Sequence, residues 1–195
     1  MRFELNHLRS EEKTPTSFLP RSTRGGGRKG IAFLVLAILA GCQTAMVQSP
    51  VTAKYAANDS DSQMNFWHEL AARPVTSNDD AFHALLLWVD SKDDAKTYDD
   101  RVAALKARGM LAGSFSEPAN EAIDRGVLAV AIVKMTGIKG GWVMHVFGPT
   151  QRYSVKELEF KGIYPPSSPQ QTFSGAEFVG IMGKVDDYRG AVASE

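Results

Sequence analysis

The chain has 195 residues with 22 basic and 22 acidic side chains, a formal net charge of zero. Seven of the basic and three of the acidic residues fall within residues 1–30, so the rest of the chain carries 15 and 19 and a net charge near −4. Phosphate binding requires clustered cations, and this acidic body therefore argues against a nucleic acid as partner.

An apolar segment over residues 31–40 follows four cations at Arg21, Arg24, Arg28 and Lys29. As a helix its ten residues would be about 15 Å long, whereas a bilayer core is about 30 Å thick. The segment is therefore too short to span a membrane. A positive region, an apolar run and then small residues are the order of a secretory signal peptide, which predicts a leader over residues 1–41.

Leu39, Ala40, Gly41 and Cys42 close the apolar run and contain the only cysteine. They resemble the lipobox of bacterial lipoproteins. The resemblance implies cleavage before Cys42, lipid on its thiol and usually a further acyl group, such as palmitate, on the new amino terminus. Several acyl chains anchor a protein stably, where one chain binds only marginally. An ordinary signal peptide followed by an incidental cysteine is the alternative.

The position after Cys42 is glutamine, not the aspartate that retains some lipoproteins in the inner membrane. By resemblance, delivery to the outer membrane is favoured. Residues 42–63 are polar and lack sustained apolar periodicity, which predicts a flexible tether. Residues 64–195 are long enough for one domain with its own core.

Short amphipathic segments separated by turn-rich loops predict a mainly α domain. The expected helices cover residues 66–72 and 77–89, a segment capped by Thr97 and stopped by Gly109, a segment from Asp124 to Gly137, a segment capped by Ser154 and closed by Gly162, and a segment capped by Ser174. The residues expected to face inward include Ala81, Ala84, Leu85 and Trp88; Val102, Ala103 and Leu105; Leu128, Ala131, Ile132 and Met135; Val155, Leu158 and Phe160; and Phe178, Ile181, Met182 and Val185. Aromatic and β-branched residues near 141–147 predict one short strand or extended loop.

Residues 102–137 align with residues 155–187, and residues 66–89 resemble a third, shorter copy. Each copy is a helix, a loop and a second capped helix, so three degenerate repeats are expected to pack around one core. Any amphipathic helix pairs would align in a similar way, which is the alternative.

This pattern resembles the S-layer homology domain, in which tandem helix-loop-helix modules carry a Thr-Arg-Ala-Glu motif at the second helix. The resemblance covers residues 65–187 and implies contact with a cell-wall or surface polymer through that motif. Here the second copy keeps only an arginine, Arg125, the third keeps only a glutamate, Glu177, and the first keeps neither. Arg125, Glu177 and Trp142, the last as a stacking surface for sugar, are the candidate polymer-binding residues. A surface arginine and a core tryptophan are the alternative.

No metal ligands, cofactor or catalytic group are predicted. His68, His83 and His145 lack a metal-ligand spacing and are expected to be partly buried structural residues. Asp90, Asp93 and Asp94 lack the pattern of a calcium loop and are expected to form a solvated connection. Among the carboxylates that could cleave a glycan, Glu157 and Glu177 are expected to be helix caps instead, whereas Glu159 is left without such a role.

The expected function is a lipid-anchored cell-envelope protein that acts as a non-enzymatic binding or structural module. Its partners would be a membrane, through the lipid on Cys42, and a wall polymer or an envelope protein. A small envelope glycan hydrolase and an accessory subunit of an envelope complex, bound through residues 142–147, are the alternatives.

Metabolic labelling with a palmitate analogue tests the anchor. We expect the wild-type protein to incorporate the label and to sediment with membranes, and Cys42→Ser to lose both properties, because the thiol is the attachment point. A wild-type product that is secreted without label would contradict the prediction.

Overall fold

The computed structural model describes residues 44–194, so the predicted leader, the lipobox and Cys42 lie outside the described residues. The described chain is mainly α-helical, as predicted, and contains no helix that is long and apolar enough to cross a membrane. A short 3-10 helix, Val51–Ala53, precedes seven α-helices. These are α1 Ser60–Ala71, α2 Asn78–Asp90, α3 Tyr98–Ala107, α4 Arg125–Thr136, α5 Trp142–Phe147, α6 Gln151–Phe160 and α7 Gly175–Ala193.

Side-chain caps begin most of these helices. The predicted caps Ser77, Thr97 and Ser174 each accept a hydrogen bond from the backbone of the first turn, and the last two form complete capping boxes. A cap satisfies a helix N–H that has no partner within the helix. The predicted cap Ser154 is wrong, because Thr150 caps α6 and Ser154 lies buried inside that helix.

One apolar core, drawn from residues between Val51 and Val185, holds the described helices together. Helix α2 packs on α3, α4 on α6, and α1 on α7. The second helix of each predicted copy thus packs on the first helix of the next, and the last copy closes on the first. Three packed repeats would produce this order, although the repeat itself stays a prediction.

Backbone hydrogen bonds between loops and helix starts follow the same cycle. The amide of Asn78, the first residue of α2, donates to Glu121 O at 2.8 Å, and the amide of Arg125 at the start of α4 donates to Gln171 O at 2.7 Å. The amide of Gly175 at the start of α7 donates to Arg73 O at 2.9 Å. Each of these helices therefore has its first amide satisfied by the loop that precedes another helix.

The predicted tether is largely part of the folded body. The amide of Ala122 donates to Ala45 O at 2.8 Å, and the amide of Val47 donates to Asn120 O at 2.7 Å. Val51 is fully buried, and α1 begins at Ser60. The prediction of a flexible segment is therefore wrong for residues 44–63, whose polar composition hid contacts that depend on the tertiary structure.

The expected strand near 141–147 is wrong, because these residues form the short helix α5. Strand propensity reflects packing on a neighbouring strand, and no strand is present in the described chain to pair with it.

Two of the residues predicted to face inward do not do so. Ala103 is exposed, and Phe160, the last residue of α6, is 83% exposed.

Substitution of Gly175 tests the closure of α7 on α1. A Cβ at this position would lie 1.6 Å from Leu70 O, a backbone atom that cannot move independently. We expect Gly175→Ala to lower the free energy of unfolding by about 3 kcal/mol. Gly180→Ala is the matched control, since its Cβ would meet no atom within 4 Å, and we expect it to stabilise α7 by about 0.5–1 kcal/mol. Equal urea midpoints for both variants would contradict this contact.

Candidate functional site

Arg125 and Glu177, two of the three candidate polymer-binding residues, form an ion pair. Arg125 begins α4 and is 6% exposed, and its Nη2 lies 2.8 Å from Oε1 of Glu177 in the first turn of α7. Its Nε donates to Thr172 O at 3.1 Å and its Nη1 to Ser167 Oγ at 2.8 Å. The guanidinium also lies 4.7 Å from the centre of the Phe173 ring. Arg125 therefore joins α4 to the loop before α7.

Glu177 is held as a carboxylate. A backbone hydrogen bond from Ser174 lowers its pKa most, and the hydrogen bond from Arg125 lowers it further. Its side chain remains about half exposed, so one side of the ion pair faces solvent. The expectation that Arg125 is an ordinary surface residue is wrong, because the structure buries it and uses its donors inside the domain.

Trp142, the third candidate residue, does not contact the Arg125–Glu177 pair. It begins α5 and is 80% exposed, so the alternative of a core tryptophan is wrong. Within the described chain, neither a hydrogen bond nor a ring contact joins Trp142 to Arg125 or Glu177; its ring neighbour is His145, with centroids 6.5 Å apart. The structure thus brings together two of the three predicted residues and separates the third.

A cleft of about 370 Å³ lies beside α5. Phe147 at the end of α5 forms one wall, Leu111 and Phe115 lie on the loop after α3, and Val130 and Lys134 come from α4. The walls are mainly apolar, with one cation at the rim. The sequence indicated residues 142–147 as a possible contact of an envelope complex, in a short strand or extended loop, but it did not predict this cleft.

A buried polar network lies between α2 and α3. Arg101 Nε donates to Asp93 Oδ2 at 2.5 Å, and Arg101 Nη1 donates to Asp79 Oδ1 at 2.7 Å. Nδ1 of His83 lies 2.6 Å from the same oxygen of Asp93. Arg101, Asp93 and His83 are all buried. A buried charge is stable only when it is paired and hydrogen-bonded, and here one guanidinium serves two carboxylates.

The protonation of this network follows from its contacts. Burial acts to raise the pKa of Asp93, but hydrogen bonds from His83 and Arg101 outweigh it, and the pKa is lowered. Asp93 is therefore ionised at neutral pH. Its carboxylate accepts a hydrogen bond from His83 Nδ1, while His83 Nε2 is buried without a partner in the described chain. Within the described chain the imidazole contacts Asp93 and the Phe66 ring, contacts that are typical of a structural histidine.

The segment that precedes α1 completes the network through Thr52 and Asn58. Thr52 Oγ1 donates to Asp79 Oδ2 at 2.5 Å, and the amide of Thr52 donates to Asp80 Oδ1 at 3.0 Å. Asn58 exchanges two hydrogen bonds with the backbone of Asp93. The predicted solvated connection at Asp90–Asp94 is therefore wrong for Asp93. Composition could not reveal this, because a buried Asp and an exposed Asp look alike in a polar stretch.

The other candidates assemble no metal or acid–base centre. No group of three or more potential metal ligands is found between residues 44 and 194. His68 and His145 are exposed rather than partly buried, so only His83 matches the expected structural histidine. Glu157 is not a cap, since α6 begins earlier. Glu159 accepts from Lys156 and from the amide of Ser167, and these hydrogen bonds lower its pKa.

Two further carboxylates have perturbed pKa values that the sequence did not indicate. Burial raises the pKa of Glu117, and repulsion from Asp124 and Glu121 raises it further. Burial and repulsion from Glu121 raise the pKa of Asp124 in the same way. The three residues lie around the loop before α4, where their negative charges repel one another.

A comparison of the chain with protein-family models and with curated proteins finds no match to either.

Substitution of Arg101 tests the buried network. We expect Arg101→Met to lower the free energy of unfolding by about 3–5 kcal/mol, because Asp79 and Asp93 would remain buried without their cation. Arg108→Met is the matched control, since Arg108 pairs with Asp90 at the partly exposed end of the same helix pair, and its loss is expected to cost less than about 1 kcal/mol. Urea unfolding followed by circular dichroism measures both. Similar losses in the two variants would contradict the assignment.

Proposed function

We propose that the protein is a lipid-anchored cell-envelope protein whose mature part is a non-enzymatic binding and structural module. The supporting sequence feature is the lipobox-like Leu39–Cys42 segment after a signal-like leader. In this proposal acyl chains on Cys42 hold the protein on a membrane, with the outer membrane favoured, and the helical body lies outside the cytoplasm.

The observation that carries the binding role is the Arg125–Glu177 pair, in which Glu177 faces solvent and Arg125 lies buried behind it. A guanidinium that is preorganised by fixed partners is a good receptor for carboxylate or phosphate groups. Three of the Arg125 nitrogens are held by Thr172, Ser167 and Glu177. An anionic wall or surface polymer would approach from the exposed side of Glu177 and compete with its carboxylate.

Glu159 and Glu177 do not have the pKa shift that the general acid of a glycan hydrolase requires. Such an enzyme needs one carboxyl group that stays protonated near neutral pH, and therefore a raised pKa. Glu159 and Glu177 both have lowered pKa values, because each accepts hydrogen bonds from the backbone and from a cation. Neither is suited to be the general acid.

An accessory subunit of an envelope complex is the second candidate function. The observation that favours it is the exposure of apolar residues on α5. A contiguous apolar patch on a protein surface marks a site of interaction. This candidate places the contact at α5 and not at Arg125.

Retention of the mature body on purified cell-wall sacculi tests the polymer site. We expect Arg125→Gln to bind about tenfold more weakly than the wild type, because a charge-assisted hydrogen bond is lost. We expect Glu177→Gln to bind more strongly, because it releases the guanidinium.

The matched control is Glu69→Gln, which weakens a comparable partly exposed pair with Arg73 and should leave retention unchanged. Circular dichroism separates unfolding from loss of binding. If the wild type is not retained, or if Glu177→Gln and Glu69→Gln behave alike, the polymer site is wrong.

A further inference from the structure

Four apolar residues on α5 are exposed together. Trp142 is 80% and Phe147 73% exposed, and Val143 and Val146 are exposed as well. Trp142 with Val146, and Val143 with Phe147, are spaced four residues apart, so each pair lies on one side of the helix. We refer to these four residues as the α5 face.

The α5 face is presented by a fixed element. Met144, in the middle of the helix, is buried in the core, and α5 packs on α6. Gly141 and Gly148 flank the helix. The exposed side chains therefore do not turn inward by rotation of the helix, because such a rotation would expose Met144.

The surroundings of the α5 face are cationic, although the body as a whole is acidic. Residues 125–156 contain five Lys or Arg and no Asp or Glu, whereas the rest of the chain from residue 31 contains 10 basic and 19 acidic residues. Lys134, Lys139 and Arg152 are exposed and form no ion pair with the described part of the chain. Lys134 lies at the cleft that Phe147 borders.

The length of the chain before the folded body limits its distance from an anchor. Ala45 O is already hydrogen-bonded to Ala122, and Ala45 is three residues from Cys42. Three residues span at most about 11 Å. If Cys42 carries lipid, as the proposed function holds, Ala45 stays within about 11 Å of the lipidated residue and the body stays close to the bilayer.

We propose that the α5 face docks on an anionic lipid bilayer as a second membrane contact. Trp142, Val146 and Phe147 enter the boundary between headgroups and acyl chains, where exposed aromatic and aliphatic side chains of interfacial helices lie. Lys134, Lys139 and Arg152 contact lipid phosphates. The anchor and α5 together then fix the orientation of the body on the membrane.

Other occupants fit the charge distribution less well. In a symmetric dimer through α5 the same patch of both copies would meet, which would bring six cations together. A sugar polymer needs several hydrogen-bonding groups beside the aromatic ring, and on α5 only His145 offers one, since Val143, Val146 and Phe147 are apolar.

Vesicle sedimentation of the mature body without lipid, residues 43–195, tests the α5 contact separately from the anchor. Its core is complete within the described residues. We expect binding to vesicles that contain phosphatidylglycerol and weaker binding to pure phosphatidylcholine vesicles. We expect Phe147→Ser to bind about tenfold more weakly than the wild type. We expect Lys139→Gln to bind about fivefold more weakly at low salt.

Matched controls lie on other helices. Met64→Ser on α1 removes an apolar side chain that is 54% exposed, as Val146 is, and Lys96→Gln removes an exposed cation from the loop before α3. Neither should change vesicle binding. Tryptophan fluorescence should shift to shorter wavelength on binding, and Trp142→Phe should remove most of the shift.

Three outcomes would overturn the proposal. The wild type fails to bind anionic vesicles, or Phe147→Ser and Met64→Ser bind alike, or Phe147→Ser abolishes a dimer in solution without affecting vesicle binding. None of these outcomes bears on palmitate labelling of Cys42, so the anchor would stand or fall independently.

Discussion

Three amides at the starts of α2, α4 and α7 determine the arrangement of the body. A helix leaves its first N–H groups without partners inside the helix, and buried ones must find acceptors. Here Asn78, Arg125 and Gly175 donate to carbonyls of loops that precede other helices. Each loop is therefore fixed by a helix that it does not adjoin, and α7 returns to the loop after α1. The helices form a closed cycle around one core.

The same closure explains the unusual side chains at these junctions. Gly175 lies so close to Leu70 O that no Cβ fits. Arg125 spans from α4 to the loop before α7 and to Glu177, which places the candidate polymer site at one of the joints of the cycle. Between α2 and α3, Arg101 forms ion pairs with Asp79 and Asp93, next to the segment that precedes α1. Charges are buried where segments distant in sequence meet.

Local signals were sufficient to predict the helical class and several helix starts. Ser77, Thr97 and Ser174 cap helices because their side chains accept hydrogen bonds from amides three residues ahead, a contact that depends on nearby residues alone. The failures involve partners distant in sequence. Residues 44–63 fold because of Ala122, Asp79 and Asp80, and α5 has no strand in the described chain with which it could pair. The ion pair of Arg125 with Glu177 joins two of the predicted copies, so only the repeat alignment could suggest it.

In the proposed function the protein binds through two surfaces that the same closed cycle of helices holds in place. The Arg125–Glu177 pair is the candidate binding site for an anionic polymer, and the α5 face is the candidate contact with lipid. Because Ala45 is already hydrogen-bonded to Ala122, a lipid on Cys42 would hold the folded body close to the membrane. Native-state hydrogen exchange of the backbone amides of Asn78, Arg125 and Gly175 tests this closed cycle most directly. A closed cycle predicts that all three amides exchange only through global unfolding, with equal free energies of opening. Rapid exchange of Gly175, with Asn78 and Arg125 still protected, would show that α7 opens alone and that the cycle is not closed.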